Sequence, residues 1–101
     1  MRSYMVVYEK GSKNWSAFAP DLPGCGSLGD EIEDTRVHLR EAIELYLRES
    51  QKAGEPIPDP VSTSVDFQEF DPHPEANQYF VEWLTVTLPQ TTTSASRSQA
   101  A

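Results

Sequence analysis

A chain of 101 residues with 38% hydrophobic content can build one modest core, so a single domain is the starting expectation. Its formal net charge of -8 argues against a bare nucleic-acid binder, whose affinity comes largely from Lys and Arg neutralising phosphates, and favours a basic partner. The single cysteine, Cys25, permits neither an intramolecular disulfide nor a thiolate metal cluster, the start lacks a signal h-region, and no stretch approaches the ~20 apolar residues of a membrane span; a reducing cytoplasm is the expected setting.

Residues 4–9 (YMVVYE) are aromatic and β-branched, and a polar stretch with glycine at 10–14 stops them, which predicts the first strand of a hairpin. The returning strand is WSAFA at 15–19, with Trp15, Ala17 and Ala19 on one face and Ser16 and Phe18 on the other. The following PDLPGC at 20–25 fixes φ twice, removes two backbone donors and adds a glycine, so the chain must make a shaped excursion there. A short third strand over 25–28 runs toward Gly29.

The spacing of Ile32, Leu39, Ala42, Ile43 and Tyr46, widened by Leu47, predicts an amphipathic helix over 30–53. Asp30 is positioned to cap it, and Glu31, Glu33 and Asp34 meet the positive end of its macrodipole. Gly54 stops the helix, and Pro56, Pro58 and Pro60 prevent its resumption. Glu44 and Arg48 have the favourable i,i+4 order on the wet side.

VSTSVDFQEF at 61–70 reads as a short edge strand, ended by the turn chemistry of Asp71, Pro72, His73 and Pro74. Residues 79–88 (YFVEWLTVTL) read as a strand with apolar bulk on both faces, hence an interior strand or one whose outer face is covered by a second subunit. The tail from 89 to 101 has no apolar period and is expected to be disordered, leaving 1–88 as the domain. The order β-β-β-α-β, with one helix to cover one face of an antiparallel sheet, is a two-layer α+β fold.

The first strand, WSAFAPDLPGC, the Gly29-Asp30 step, EAIELYL at 41–47 and the GEPIPDP exit together resemble the HicB-like antitoxin domain. That family's pattern is an aromatic-led second strand running into P-D-L-P-G-C, then G-D, then a helix with E-A-I-x-x-Y-L and a Pro-rich exit. The resemblance covers roughly the first sixty residues, and the last strand agrees in placement. It implies a sheet like a partial RNase H or double-stranded-RNA-binding domain. It also implies a partner, a small basic mRNA-cleaving HicA-type ribonuclease toxin that the acidic antitoxin occludes. Two departures stand out. The family continues Gly-Asp with Thr and a small residue one turn later, where this chain has Glu31 and then Thr35 and Arg36, so its helix start is expected to be capped differently. Many family members also carry a carboxyl-terminal DNA-binding domain, where here a Ser/Thr/Ala-rich stretch follows Leu88, so direct operator binding is not expected.

The partner-binding candidates are Trp15, Asp21, Leu22, Pro23, Gly24, Glu33 and Asp34: an aromatic anchor, the shaped turn and the acidic start of the helix. No catalytic residue, metal site or cofactor is expected. Asp21 is one carboxylate, where metal-dependent nuclease chemistry needs at least two that converge, and it reads as a turn or Asx-cap residue. His38 and His73 lack ligand spacing, and Cys25 reads as a small packed residue. An open edge in so small a sheet favours a homodimer or larger assembly. A second reading is an orphan homo-oligomeric scaffold without a toxin, and a third is a metal-dependent nuclease.

Overall fold

The computed structural model describes residues 1–65, 67 and 78–89. Its elements run β1 (Arg2–Lys10), β2 (Trp15–Phe18), β3 (Gly26–Gly29), α1 (Ile32–Lys52) and β4 (Gln78–Val86), the predicted order with ends moved by a residue or two. The sheet is antiparallel with strand order β3-β2-β1-β4. The fold is α+β, one helix on one face of a four-stranded sheet. No helix is long and apolar enough to cross a membrane among the described residues.

β1 is central because it alone can be buried on both sides. Tyr4, Val6 and Tyr8 point to the helix, Met5 and Val7 point the opposite way, and all five are inaccessible to solvent. Ala17, Leu84 and Val86 from the flanking strands, with Leu39, Ile43 and Leu47 from α1, complete the core. Each fully buried Leu, Ile or Val contributes about 1.5–3 kcal/mol, far more than any single surface ion pair.

Of the two readings left open for β4, the interior strand is not what the sheet shows: β4 is an edge strand, paired through nine positions to β1 and to no other strand among the described residues. Its double-sided apolarity comes from different causes on each face. Leu84 and Val86 pack under α1, whereas Trp83 on the other face stays 53% exposed. Three helix residues spaced one turn apart tie α1 to this strand. Arg36 bonds Glu82, the Arg40 Nε donates to the Thr85 carbonyl at 3.3 Å, and the Glu44 carboxylate accepts from the Thr87 N–H at 2.8 Å. Glu44 therefore faces β4 rather than serving the expected pair with Arg48.

At its start the helix departs from expectation. The N-cap is Glu31, not Asp30, and no side chain caps it; the Thr35 hydroxyl donates back to the Glu31 carbonyl at 2.9 Å. At its end, Gly54 with φ +74° closes the helix as expected. Its N–H reaches the Gln51 carbonyl at 3.1 Å and the Glu55 N–H reaches Ser50 at 2.9 Å, the paired bonds of a Schellman motif. The Pro-rich exit is then strapped to the sheet, where the Pro58 carbonyl accepts from Tyr4 at 2.5 Å and from Arg2 at 3.2 Å.

Residues 61–65 form no strand. The rest of the expected edge strand except Phe67, the turn at 71–74 with His73, and the tail beyond Pro89 lie outside the described residues.

Candidate partner-binding surface

PDLPGC folds as two consecutive tight turns, with the Leu22 N–H on the Ala19 carbonyl and the Cys25 N–H on the Leu22 carbonyl, each at 3.0 Å. Gly24, at φ +83°, occupies the left-handed region that side chains disfavour. Leu22 is fully buried and anchors the turn in the core. Asp21 faces the exit strap: its carboxylate accepts from the Ser62 N–H at 3.0 Å and the Ser62 hydroxyl at 2.6 Å. The side chains of Asp21 and Leu22 thus hold the turn, while Pro23 and Gly24 are exposed at its tip.

Beside this tip runs an open groove of about 450 Å³, walled by Gly24, Cys25 and Gly26 on one side and by the Ala42, Tyr46 and Glu49 stretch of α1 on the other. Glu55, just past the helix cap, shares its lining, as does half-exposed Leu45. The groove is therefore an apolar trough with two carboxylates on its rim. Glu49 lies 3.5 Å from Lys52 in an exposed pair, which leaves its oxygens accessible to a stronger cation. Burial pushes the Cys25 thiol above its usual value, so the cysteine in the wall is a packed apolar group rather than a thiolate.

Trp15, Glu33 and Asp34 sit at the opposite end of the helix. Trp15 is half-buried against the core and pairs with Gly29 across β2 and β3. A Cβ on Gly29 would lie 2.6 Å from the Thr35 nitrogen and 3.0 Å from the Asp34 carbonyl carbon, so only glycine lets the first turn of α1 lie on β3. Glu33 and Asp34 are exposed there, and Glu33 pairs with Arg36 at 2.5 Å. The predicted residues thus fall into two patches, one at each end of α1. Glu49, Glu55 and Leu45 escaped the sequence reading, and Tyr46 was read only as part of the buried helix stripe, not as a wall of the groove. Leu45 offered the one signal, a large apolar side chain lying off the buried stripe.

Beneath the helix lies a charged cluster that the sequence did not disclose. Glu82 accepts from the Arg36 Nε at 2.7 Å and from the Tyr8 hydroxyl. Burial opposes ionisation of Glu82, but the hydrogen bonds and charge of Arg36, with the Tyr8 bond, outweigh it and hold the carboxyl below its usual range. The same burial and the adjacent carboxylate raise the Tyr8 phenol, and Glu82 and Glu33 hold the Arg36 guanidinium protonated. His38 Nδ1 lies 2.7 Å from the Leu28 carbonyl and donates to it, covering part of the β3 edge. No group of three or more His, Cys, Asp or Glu side chains is placed to hold a metal ion among the described residues.

Comparison with known proteins agrees with this architecture. A UPF0150 protein of Synechocystis is 39% identical over 57 residues, covering 55% of this chain and 72% of that protein. An uncharacterized 14.9 kDa protein of Haemophilus phage HP1 is 26% identical over 85 residues, 84% of this chain and 61% of its own length. Among solved structures, the Burkholderia pseudomallei antitoxin HicB superposes with a TM-score of 0.66 at 24% identity, covering 100% of this chain and 75% of that one. A chain of the HicA3 and HicB3 toxin-antitoxin complex superposes at 0.59 and 20% identity, covering 84% and 98%. These two likenesses establish the shared fold. Residues 4–99 match the family described as HicB_like antitoxin of bacterial toxin-antitoxin system, and the chain belongs to that family.

Proposed function

We propose that this chain is an antitoxin that binds a small basic HicA-type mRNA-cleaving ribonuclease and covers its RNA-facing surface. The observation that carries the reading is the trough between the Gly24–Gly26 segment and α1, whose apolar floor and Glu49 and Glu55 rim suit an aliphatic segment bearing Lys or Arg. Family membership and the net charge of -8 support it, because complementary potential speeds encounter with a basic partner and penalises wrong ones. Pro23 and Gly24 form one lip, Asp21 and Leu22 hold that lip in place, and Trp15, Glu33 and Asp34 provide a second contact patch at the far end of α1. The protein acts by contact rather than catalysis, in the reducing cytoplasm where Cys25 stays a free thiol.

Co-expression with the HicA-type toxin encoded beside the gene tests this reading. Growth is expected to be restored and a complex to co-purify, and charge reversal by Glu49→Lys with Glu55→Lys is expected to weaken that complex by about tenfold or more at low salt. Absence of both complex and rescue sinks it. The exposed Trp83 favours the second reading, an orphan homo-oligomeric module, which predicts no short basic reading frame beside the gene.

A further inference from the structure

β3 is the sheet's other edge, and at Gly26 it opens onto a groove on each face. The Cys25 carbonyl accepts from the Ala19 N–H at 3.4 Å, while the Leu28 carbonyl turns the other way, to His38 Nδ1 at 2.7 Å. Alternation along an antiparallel strand therefore directs both the N–H and the C=O of Gly26 away from β2. His38 closes the edge at Leu28; among the described residues nothing bonds the outward groups of Gly26. β2 and β1 separate this edge from β4, where Phe67 stacks on Tyr79 and Gln78 begins the strand, so both ends of the 68–77 stretch lie across the sheet.

The trough between Gly26 and α1 lies on the helix side of this edge. A second groove, of about 350 Å³, shares Gly24, Cys25 and Gly26 with it and is walled by Phe18, Pro20 and Pro23. Phe18 pairs with Val7 and shares its face, so this groove lies on the side away from the helix. Strand addition asks for such an arrangement: unpaired main chain for affinity, and room on both faces for side chains that alternate. A helix laid in the trough leaves the second groove and the Gly26 main chain unused. Gly26 itself puts no side chain in the way, since a Cβ there would meet the Ala17 carbonyl oxygen at 2.9 Å. β3 and α1 run antiparallel, Gly29 against Thr35 and Leu28 against His38, and the trough continues along the helix to Glu49. From His38 to Glu49 is about 16 Å of helix, the length of about five extended residues. A cationic side chain about three positions beyond the residue paired with Gly26 therefore comes level with Glu49, and Glu55 lines the same trough.

We infer that the basic partner adds an extended strand to the edge of β3 at Gly26, bonding the Gly26 N–H and C=O. Its alternate side chains, small and apolar, seat in the two grooves, and a Lys or Arg about three positions away reaches Glu49 and Glu55. The inference rests on the toxin-binding reading and specifies how that partner is held: the occupant is an extended segment of the toxin, an edge strand or a terminal arm, and not a helix. The PDLPGC turn then does more than connect β2 to β3, because it builds the wall that both grooves share. Main-chain bonds are indifferent to side-chain identity, so recognition falls to the two grooves and the charged rim.

Residue-resolved amide exchange on the full chain, free and in complex with the HicA-type toxin encoded beside the gene, tests strand addition without a variant. The Gly26 amide is expected to slow about tenfold or more on binding, the mark of a main-chain bond formed. Leu45→Lys and Pro20→Lys place a cation in the wall of the trough and of the second groove respectively, both outside the buried core. Each is expected to raise the dissociation constant about tenfold or more with an unchanged far-ultraviolet spectrum, because alternate side chains use both grooves. A complex in which Gly26 exchanges as fast as in the free chain, or which is indifferent to Pro20→Lys, overturns strand addition and leaves the toxin-binding reading standing. Absence of any complex overturns both.

Discussion

Arg36 on α1 and Glu82 on β4 form a two-pronged contact, Nε to Oε2 at 2.7 Å and Nη2 to Oε1 at 3.3 Å, across 46 positions of sequence. Both side chains are about four-fifths covered, with 20% and 22% exposure, and the Tyr8 hydroxyl completes the carboxylate's shell. This contact joins the helix to the sheet edge at a point where Leu or Val would have done so by packing alone.

Glu82→Gln is expected to cost about 1–2 kcal/mol in urea denaturation, since a charge-assisted bond is lost at a site that solvent still partly screens. The folded protein holds the Glu82 carboxyl below its unfolded value of about 4.3. Its contribution is therefore full above that pH and disappears as pH falls through the lower, folded-state value. The wild type should lose stability on that acid limb, and the Gln variant should show a flatter one. An Arg36→Met, Glu82→Gln cycle with no coupling energy would refute the account.

Gly29 and Gly24 should respond differently to alanine. At Gly29 the new Cβ meets backbone at 2.6 Å, so the first turn of α1 must lift, at about 2–3 kcal/mol. At Gly24 nothing lies within 4 Å of the added atom, and only the φ of +83° opposes it, at about 1–2 kcal/mol. Equal midpoint shifts for Gly29→Ala and Gly24→Ala would contradict this ranking.

Asp21→Ala releases Ser62 from two hydrogen bonds to a carboxylate. A loss of about 1–3 kcal/mol is expected, with faster amide exchange at Ser62 and little change in the helix. Unchanged exchange at Ser62 would show that the strap is held elsewhere.

Cys25 should resist a thiol reagent such as iodoacetamide near neutral pH while folded, and react at the ordinary rate in denaturant. Its burial both shields the sulfur and raises its pKa, which keeps it from ionising to the reactive thiolate. Rapid labelling of the native protein would refute this.

The helix was legible because Leu39, Ile43 and Leu47 recur at its own period, and a periodic apolar face has one structural solution. Its ending was legible for a similarly local reason, Gly54 followed by alternate prolines. The rank of the strands was not. MVV and FVEW each show apolar residues on both faces, yet Met5 and Val7 are sealed in a central strand while Trp83 remains open on an edge. Composition reports that a face is apolar; it is silent on what covers it. The trough was hidden for a related reason, since Gly24, Tyr46 and Glu55 meet only after the chain has turned three times. Likewise Arg36 and Glu82 each look like ordinary wet-face charges until the helix is laid on the strand.

β1, the earliest strand among the described residues, lies between β2 and β4, and its second neighbour is the latest of them in chain order. A nascent chain therefore carries the Tyr4 to Tyr8 row half-zippered until the ribosome has passed Val86. Such long-range closure slows folding and ties the whole sheet to one cooperative step. Fragments that stop before Gln78 would leave the stickiest segment of the molecule unzipped, and should be the first to be aggregated or degraded.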